Sequence, residues 1–246
     1  MVAKRGSVMR RRPLRLPGYD YTQPGAYFVT LCTYRRKRLF GEIVEGQMRL
    51  NAFGQAVHAC WAELPRHFPH VELDAFVIMP NHVHGVIMIY DAGQQHAAPQ
   101  DVGATYISSS DQGNVGAEHA ALAGVGATHA SSSKQGNVGA QHAAPLPSNP
   151  RVVPGSLGAI IRSLKSAATR RINQLRGTPG APVWQRNYYE HIIRDEAALN
   201  RIRTYIQSNP LQWHFDIENP DRLGTDDSYL WLRAQGARSL AKGDLP

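Results

Sequence analysis

Cysteine is almost absent. Cys32 and Cys60 are the only two in 246 residues, so neither a disulfide framework nor a CxxC metal site can be built. Each stands beside a large apolar neighbour, Leu31 or Trp61, the setting of buried thiols in a reducing compartment. Long apolar runs are also missing. None approaches the roughly 18 residues needed to span a bilayer, and the opening MVAKRGSVMRRRPLRL lacks the apolar stretch of a signal peptide. The expectation is a cytoplasmic protein with no membrane partner. Acidic residues are outnumbered, 19 against 27 Lys+Arg, and the resulting net charge of +8 suits a polyanionic partner.

Hydrophobic residues make up 42% of the chain, enough for a packed core. The positive charge gathers at the start. Residues 1–40 contain Lys4, Arg5, Arg10, Arg11, Arg12, Arg15, Arg35, Arg36, Lys37 and Arg38, opposed only by Asp20. One such cluster reads equally well as a solvated tail. Two clusters bracketing an apolar strand favour phosphate contact.

Residues 27–34 (YFVTLCTY) are β-branched and aromatic and predict a strand. Residues 41–50 predict a hairpin turning at Glu45-Gly46. Over 51–68 the apolar spacing of Phe53, Val57, Cys60, Trp61 and Leu64 predicts an amphipathic helix capped by Asn51. Val71–Met79 and 83–90 are two more strands, parted by Pro80-Asn81. From 91 to 154 the composition shifts to Gly, Ala, Ser, Gln and His. VGATYISSSDQGNVGAEHAA from Val102 recurs there as VGATHASSSKQGNVGAQHAA from Val125. A repeat without an apolar face cannot offset the cost of ordering its backbone, so this stretch is expected to be a disordered insertion.

Order should resume over 155–175, a helix with Ile160, Ile161, Leu164, Ala168 and Ile172 on one side and Arg162, Lys165, Arg170 and Arg171 on much of the rest. Residues 183–193 (VWQRNYYEHII) look strand-like. Asp195 should cap a last helix, Glu196–Ser208, which ends at Asn209-Pro210. The order β-α-β-β-α-β plus a terminal helix is the ferredoxin-like, split βαβ arrangement of the α+β class, with an antiparallel sheet. The expected organisation is a basic tail (1–15), one domain formed by 16–90 and 155–213, the insertion (91–154) and an irregular tail (214–246).

MPNHVHGVIMI, residues 79–89, is the sharpest local feature. His82 and His84 lie two apart at the start of a strand, so both imidazoles project from one face and could grip one divalent ion. Two strand-end histidines without a ligand fit the same spacing. On the terminal helix Tyr205 and Asn209 are neighbours at i, i+4, beside the apolar stripe of Leu199, Ile202 and Ile206. Together they offer a nucleophile and a third metal ligand, although helix geometry alone also suits an ordinary boundary tyrosine.

Three segments in order, MPNHVHGVIMI, VWQRNYYEHIIRDE and RIRTYIQSNP, resemble the REP-associated tyrosine transposases, the single-tyrosine branch of the HUH nucleases. PGYDYTQPGAYFVTLCT and SLGAIIRSLKS are similar to the same family. The resemblance covers 16–209 apart from the insertion, which departs from it. It implies an HUH-type ferredoxin-like fold with an added catalytic helix. It also implies a metal-dependent endonuclease and strand transferase that cuts single-stranded or hairpin DNA at palindromic sites through a 5′-phosphotyrosine. By position, His82, His84 and Asn209 would hold Mg²⁺ or Mn²⁺, and Tyr205 would be the nucleophile. Trp184, Gln185 and Arg186 match a strand beside the family's active site. The basic residues Arg162, Lys165, Arg170 and Arg171, with Arg186, would hold DNA phosphates. Tyr188 and Tyr189 are fallback nucleophiles.

Other readings stay open on the sequence. They are a non-catalytic nucleic-acid-binding module of ferredoxin-like fold, a domesticated palindrome-binding protein, and a small-substrate metal hydrolase. A homodimer is compatible too, since Tyr205 could serve its own histidines or a partner's.

Overall fold

The computed structural model describes residue 16 and residues 18–91, 152–225, 227 and 230–232. The 1–15 tail, nearly all of the 91–154 insertion and most of the chain beyond 225 lie outside the described residues. No helix among the described residues is long and apolar enough to cross a membrane.

The chain forms β1 (Gly25–Cys32), β2 (Gly41–Val44), β3 (Gln47–Leu50), α1 (Ala52–Ala62), α2 (Leu64–His67), β4 (Val71–Met79), β5 (His82–Ile89), α3 (Leu157–Leu175), β6 (Tyr189–Ile193) and α4 (Glu196–Ser208). Four strands make one sheet in the order β4-β5-β1-β6, and every neighbouring pair is antiparallel. β1 and β4 therefore run parallel with β5 between them, and β5 and β6 run parallel with β1 between them. This is the ferredoxin-like topology, with the β2-β3 hairpin added between β1 and α1.

Local chemistry explains most boundaries. Glu45 and Gly46 both take positive φ, as a two-residue hairpin turn needs. Asn51 Oδ1 accepts from the Phe53 and Gly54 amides and starts α1; Asp195 accepts from the Ala198 amide and starts α4. The helix expected over 51–68 is broken after Ala62, because Pro65, in the first turn of α2, has no N–H to continue the ladder. The strand expected over 183–193 is shorter. Trp184 makes a lone bridge to Thr33, and pairing with β1 starts only at Tyr189.

The sheet has two packed faces. Tyr27, Val29, Leu31, Val83 and Ile87 meet Val57, Trp61, Ile160, Ile161 and Leu164 of α1 and α3. Phe28, Val77, Met79 and Val86 meet Leu199, Ile202, Tyr205 and Ile206 of α4. On β4 a bulge between Leu73 and Phe76 shifts the alternation. Leu73 and Phe76 therefore share the α1/α3 core, while Ala75 faces α4. Asp74 lies in this bulge and holds Arg203 of α4 through two bonds of 2.9 and 2.6 Å. A bidentate pair at this point ties the helix that carries Tyr205 to the sheet edge.

Burial also leaves a pH signature. His191 on β6 is 9% exposed, and burial pushes its imidazole down to about 4, with the Arg194 charge acting in the same direction. The unfolded chain binds this proton near pH 6.5, before the folded protein does, so stability is full above 6.5 and is lost as pH falls toward 4. The expected slope is about 1.4 kcal/mol per pH unit in that window. Thermal melting of wild type and His191→Gln across pH 4–7.5 checks it: the variant should show a shallower decline.

Candidate active site

β5 carries both histidines on its α4-facing side, and the two are fully buried. The turn between β4 and β5 supplies Asn81, also fully buried. The Asn81 Nδ2 amide donates to the Glu218 carbonyl at 2.6 Å and to the Arg36 carbonyl at 3.3 Å. That fixes its Oδ1 as the acceptor for His82 Nδ1–H at 2.8 Å. The Nε2 lone pair of His82 therefore points into the site, the arrangement by which an outer partner sets the tautomer of a metal-binding histidine. On β1, paired with His84 across the ladder, Thr30 Oγ1 lies 2.9 Å from His84 Nδ1. Phe28 stacks on the His84 ring at 5.3 Å.

The two Nε2 atoms are 3.0 Å apart. Asp216 Oδ2 lies 3.7 Å from one and 3.9 Å from the other, and it too is fully buried. Atoms at these separations share a point about 2.1 Å from each, the bond length that divalent cations take with imidazole nitrogen and carboxylate oxygen. Two imidazoles and one carboxylate are a recurrent transition-metal donor set. The residues fit a cation. Burial pushes His82 down to about 3, despite the opposing pull of Asp216, so its imidazole is neutral and able to ligate. Burial works against the Asp216 charge, but the adjoining histidines and the Asn209 amide hold its carboxyl well below the usual range.

Tyr205 on α4 is 5% exposed, and its hydroxyl is 3.2 Å from His84 Nε2. The structure thus brings His82, His84 and Tyr205 of one chain together. Asn209 is adjacent as well: its Nδ2 donates to Asp216 Oδ2 at 2.9 Å, and its buried Oδ1 has no hydrogen-bond partner among the described residues. The third donor of the cluster, and its one acidic group, is Asp216, which the sequence reading missed. It follows α4 in a polar stretch, WHFDIENP, with no periodicity to mark it. The stretch is nonetheless ordered: Asp216 Oδ1 accepts from the Glu218 amide at 2.6 Å, and Asn219 donates to the Trp213 carbonyl at 2.9 Å. Trp213 covers the His82 ring at 6.2 Å.

Some of the basic residues border a groove on the other side of the sheet. Lys165, Arg170, Trp184, Gln185 and Arg186 line this groove of about 770 Å³ between α3 and the segment before β6. Arg162, Arg170 and Arg186 are exposed. Lys165 is committed to the Gln185 and Arg186 carbonyls, and burial pushes its ammonium down to about 8. Arg171 is paired with Glu63 at 2.9 and 2.8 Å. Trp184 is 8% exposed, and its Nε1 has no hydrogen-bond partner among the described residues. Tyr188 packs with the α1/α3 core, whereas Tyr189 faces α4 on the rung of Thr30 and His84.

No family model matches the chain. A Haemophilus influenzae protein, described only as uncharacterized, is 34% identical over 210 residues, covering 85% of this chain and 93% of the relative. Among solved structures, a REP-associated tyrosine transposase bound to a REP hairpin is similar at a TM-score of 0.41 and 15% identity, over 79% of this chain and 72% of that one. A candidate transposase from Deinococcus radiodurans is similar at a TM-score of 0.35 and 14% identity, over 77% and 92%.

Proposed function

We propose that this chain, which belongs to one family with the Haemophilus influenzae protein, is a metal-dependent tyrosine nuclease and strand transferase acting on single-stranded or hairpin DNA. The carrying observation is the convergence of the Tyr205 hydroxyl with His82, His84 and Asp216: the hydroxyl is 3.2 Å from a ring nitrogen that belongs to a three-donor cluster. The order of the sequence motifs supports reading it as a transposase of the REP-associated type.

Tyr205 Oη attacks the scissile phosphorus and gives up its proton to water. The bond from phosphorus to the 3′ oxygen breaks, leaving a 5′-phosphate ester on Tyr205 and a free 3′-hydroxyl. Attack of a 3′-hydroxyl on that ester reverses the step and rejoins strands without ATP, because the ester keeps the bond energy. A divalent cation held by His82, His84 and Asp216 would polarise the phosphate and stabilise charge on the departing oxygen. Imidazole donors favour Mn²⁺ over Mg²⁺. Asn81 and Thr30 hold the two rings in place, and Asn209 holds Asp216.

The groove lined by Arg170, Trp184 and Arg186 supports a phosphate contact well away from the chemistry, which suits a hairpin longer than the cleavage site itself. A non-catalytic module that stacks bases on an open sheet is less consistent with this chain, since α1 and α3 cover one face and α4 the other. The test is to incubate the protein with hairpin oligonucleotides and Mn²⁺ and to run a denaturing gel. A covalent protein–DNA band that disappears in EDTA is expected; no band with any hairpin or flank would refute the reading.

A further inference from the structure

Tyr205 borders a second feature besides the histidine cluster. A cavity of about 420 Å³ lies along α4, bounded by Asn200, Arg201, Thr204, Tyr205 and Ser208 and by the helical residues Trp231 and Leu232 further along the chain. We propose that this cavity binds the base of a nucleotide adjoining the scissile phosphate, and so sets which sequence is cut. The proposal rests on the nuclease reading above and assigns it a specificity site.

Position is the first argument. One residue, Tyr205, both lines the cavity and carries the hydroxyl that contacts His84. A phosphate attacked by that hydroxyl is therefore within about the length of one tyrosine of the cavity, so the base of an adjoining nucleotide has the cavity within reach. Size is the second. The volume is in the range of small-ligand sites and takes a single unpaired base, not a duplex.

Chemistry is the third. The Arg201 guanidinium lies 5.1 Å from the Trp231 ring centroid, a paired cation and aromatic plane of the kind on which unpaired bases stack. The helix wall is polar in a specific way. Thr204 Oγ1 donates back to the Asn200 carbonyl at 3.0 Å, and Ser208 Oγ to the Tyr205 carbonyl at 3.3 Å. Each hydroxyl proton is thereby used, and the oxygens are left as acceptors. Asn200 Oδ1 accepts from Arg203 at 2.9 Å, which orients its Nδ2 as a donor. Acceptors and a donor beside a stacking plane match the edge of a base; a purely apolar occupant would leave them unsatisfied.

The experiment uses the full chain carrying Tyr205→Phe, which retains the cavity but cannot form the ester. Hairpin oligonucleotides with single-stranded flanks carry 2-aminopurine at one flank position at a time, with Mn²⁺ present. Fluorescence should be quenched at one or two adjacent positions next to the phosphate that wild type cleaves, as mapped by the covalent band. An abasic site there should weaken binding about tenfold, and Trp231→Leu should remove both effects. Should Trp231→Leu lower the melting temperature sharply, Thr204→Val with Ser208→Ala replaces it. That pair should cut the preference among bases at this position about tenfold. A flat quenching profile, a quench away from the cleaved phosphate, or one unchanged in the variants would overturn the proposal while leaving the nuclease reading intact. Absence of any covalent band in wild type would instead refute the nuclease reading.

Discussion

Tyr205→Phe should abolish the covalent protein–DNA band while leaving the fold and hairpin binding in place. The substitution removes one oxygen, which lies 3.2 Å from His84 Nε2. The ring stays edge-on to Phe28 at 6.1 Å and within the α4 core, so the melting temperature should move little. A phenyl ring has no lone pair to attack phosphorus, and loss of a catalytic nucleophile costs at least about 10⁴-fold in rate. Denaturing gels, thermal melting and a native gel shift check the three parts of the expectation. An adduct of undiminished yield would sink the assignment and direct attention to Tyr189, which shares the α4-facing side and the rung of His84.

The faces that His82, His84 and Tyr205 take were legible in the sequence because their geometry is local, while the roles proposed for them rest on the family resemblance. Two residues on one strand share a face at a spacing of two, and a helix whose apolar stripe is Leu199, Ile202 and Ile206 must seat Tyr205 at the edge of that stripe. Caps and turns were legible for the same reason: Asn51, Asp195 and Glu45-Gly46 act on amides within three residues of themselves. What escaped depends on contacts distant in sequence. Asp216 reaches the site by chain reversal after α4, and its partners, His82 and His84, lie more than 130 residues earlier. Asn81 orients His82, but its role depends on the Glu218 carbonyl at a separation of 137 residues. The β4 bulge that turns Asp74 toward Arg203 has no signature in VELDAFVIM.

The basic residues teach a related lesson. Read along the helix, Arg162, Lys165, Arg170 and Arg171 occupy much of the surface that the apolar stripe leaves. In the fold they divide. Lys165 and Arg171 are taken up by the Gln185 carbonyl and the Glu63 carboxylate, and Arg162 and Arg170 remain outward. Charge counted from sequence overstates what a phosphate meets, because ion pairs with residues elsewhere in the chain neutralise part of it.

Metal binding should separate the four polar residues of the site by the kind of contact each makes. Replacing His82 or His84 with alanine removes one of two imidazole nitrogens that meet at 3.0 Å, and is expected to abolish both Mn²⁺ binding and cleavage. Asp216→Ala removes the single anionic donor. Affinity for Mn²⁺ in the DNA-free protein should fall by about 100-fold or more, whereas cleavage should remain measurable at saturating metal, because a bound phosphate oxygen can take the carboxylate's place. Asn209→Ala leaves all three donors but deletes the 2.9 Å bond that orients Asp216, so its cost should be that of an outer partner, about tenfold. Calorimetric titration of Mn²⁺ into each variant, with melting curves as a control for folding, measures the order. If Asn209→Ala weakens binding as much as His84→Ala while Asp216→Ala binds like wild type, then the buried Asn209 Oδ1, and not Asp216, is the third ligand. The ranking thus distinguishes the donor set that helix spacing suggests from the one that the folded chain assembles.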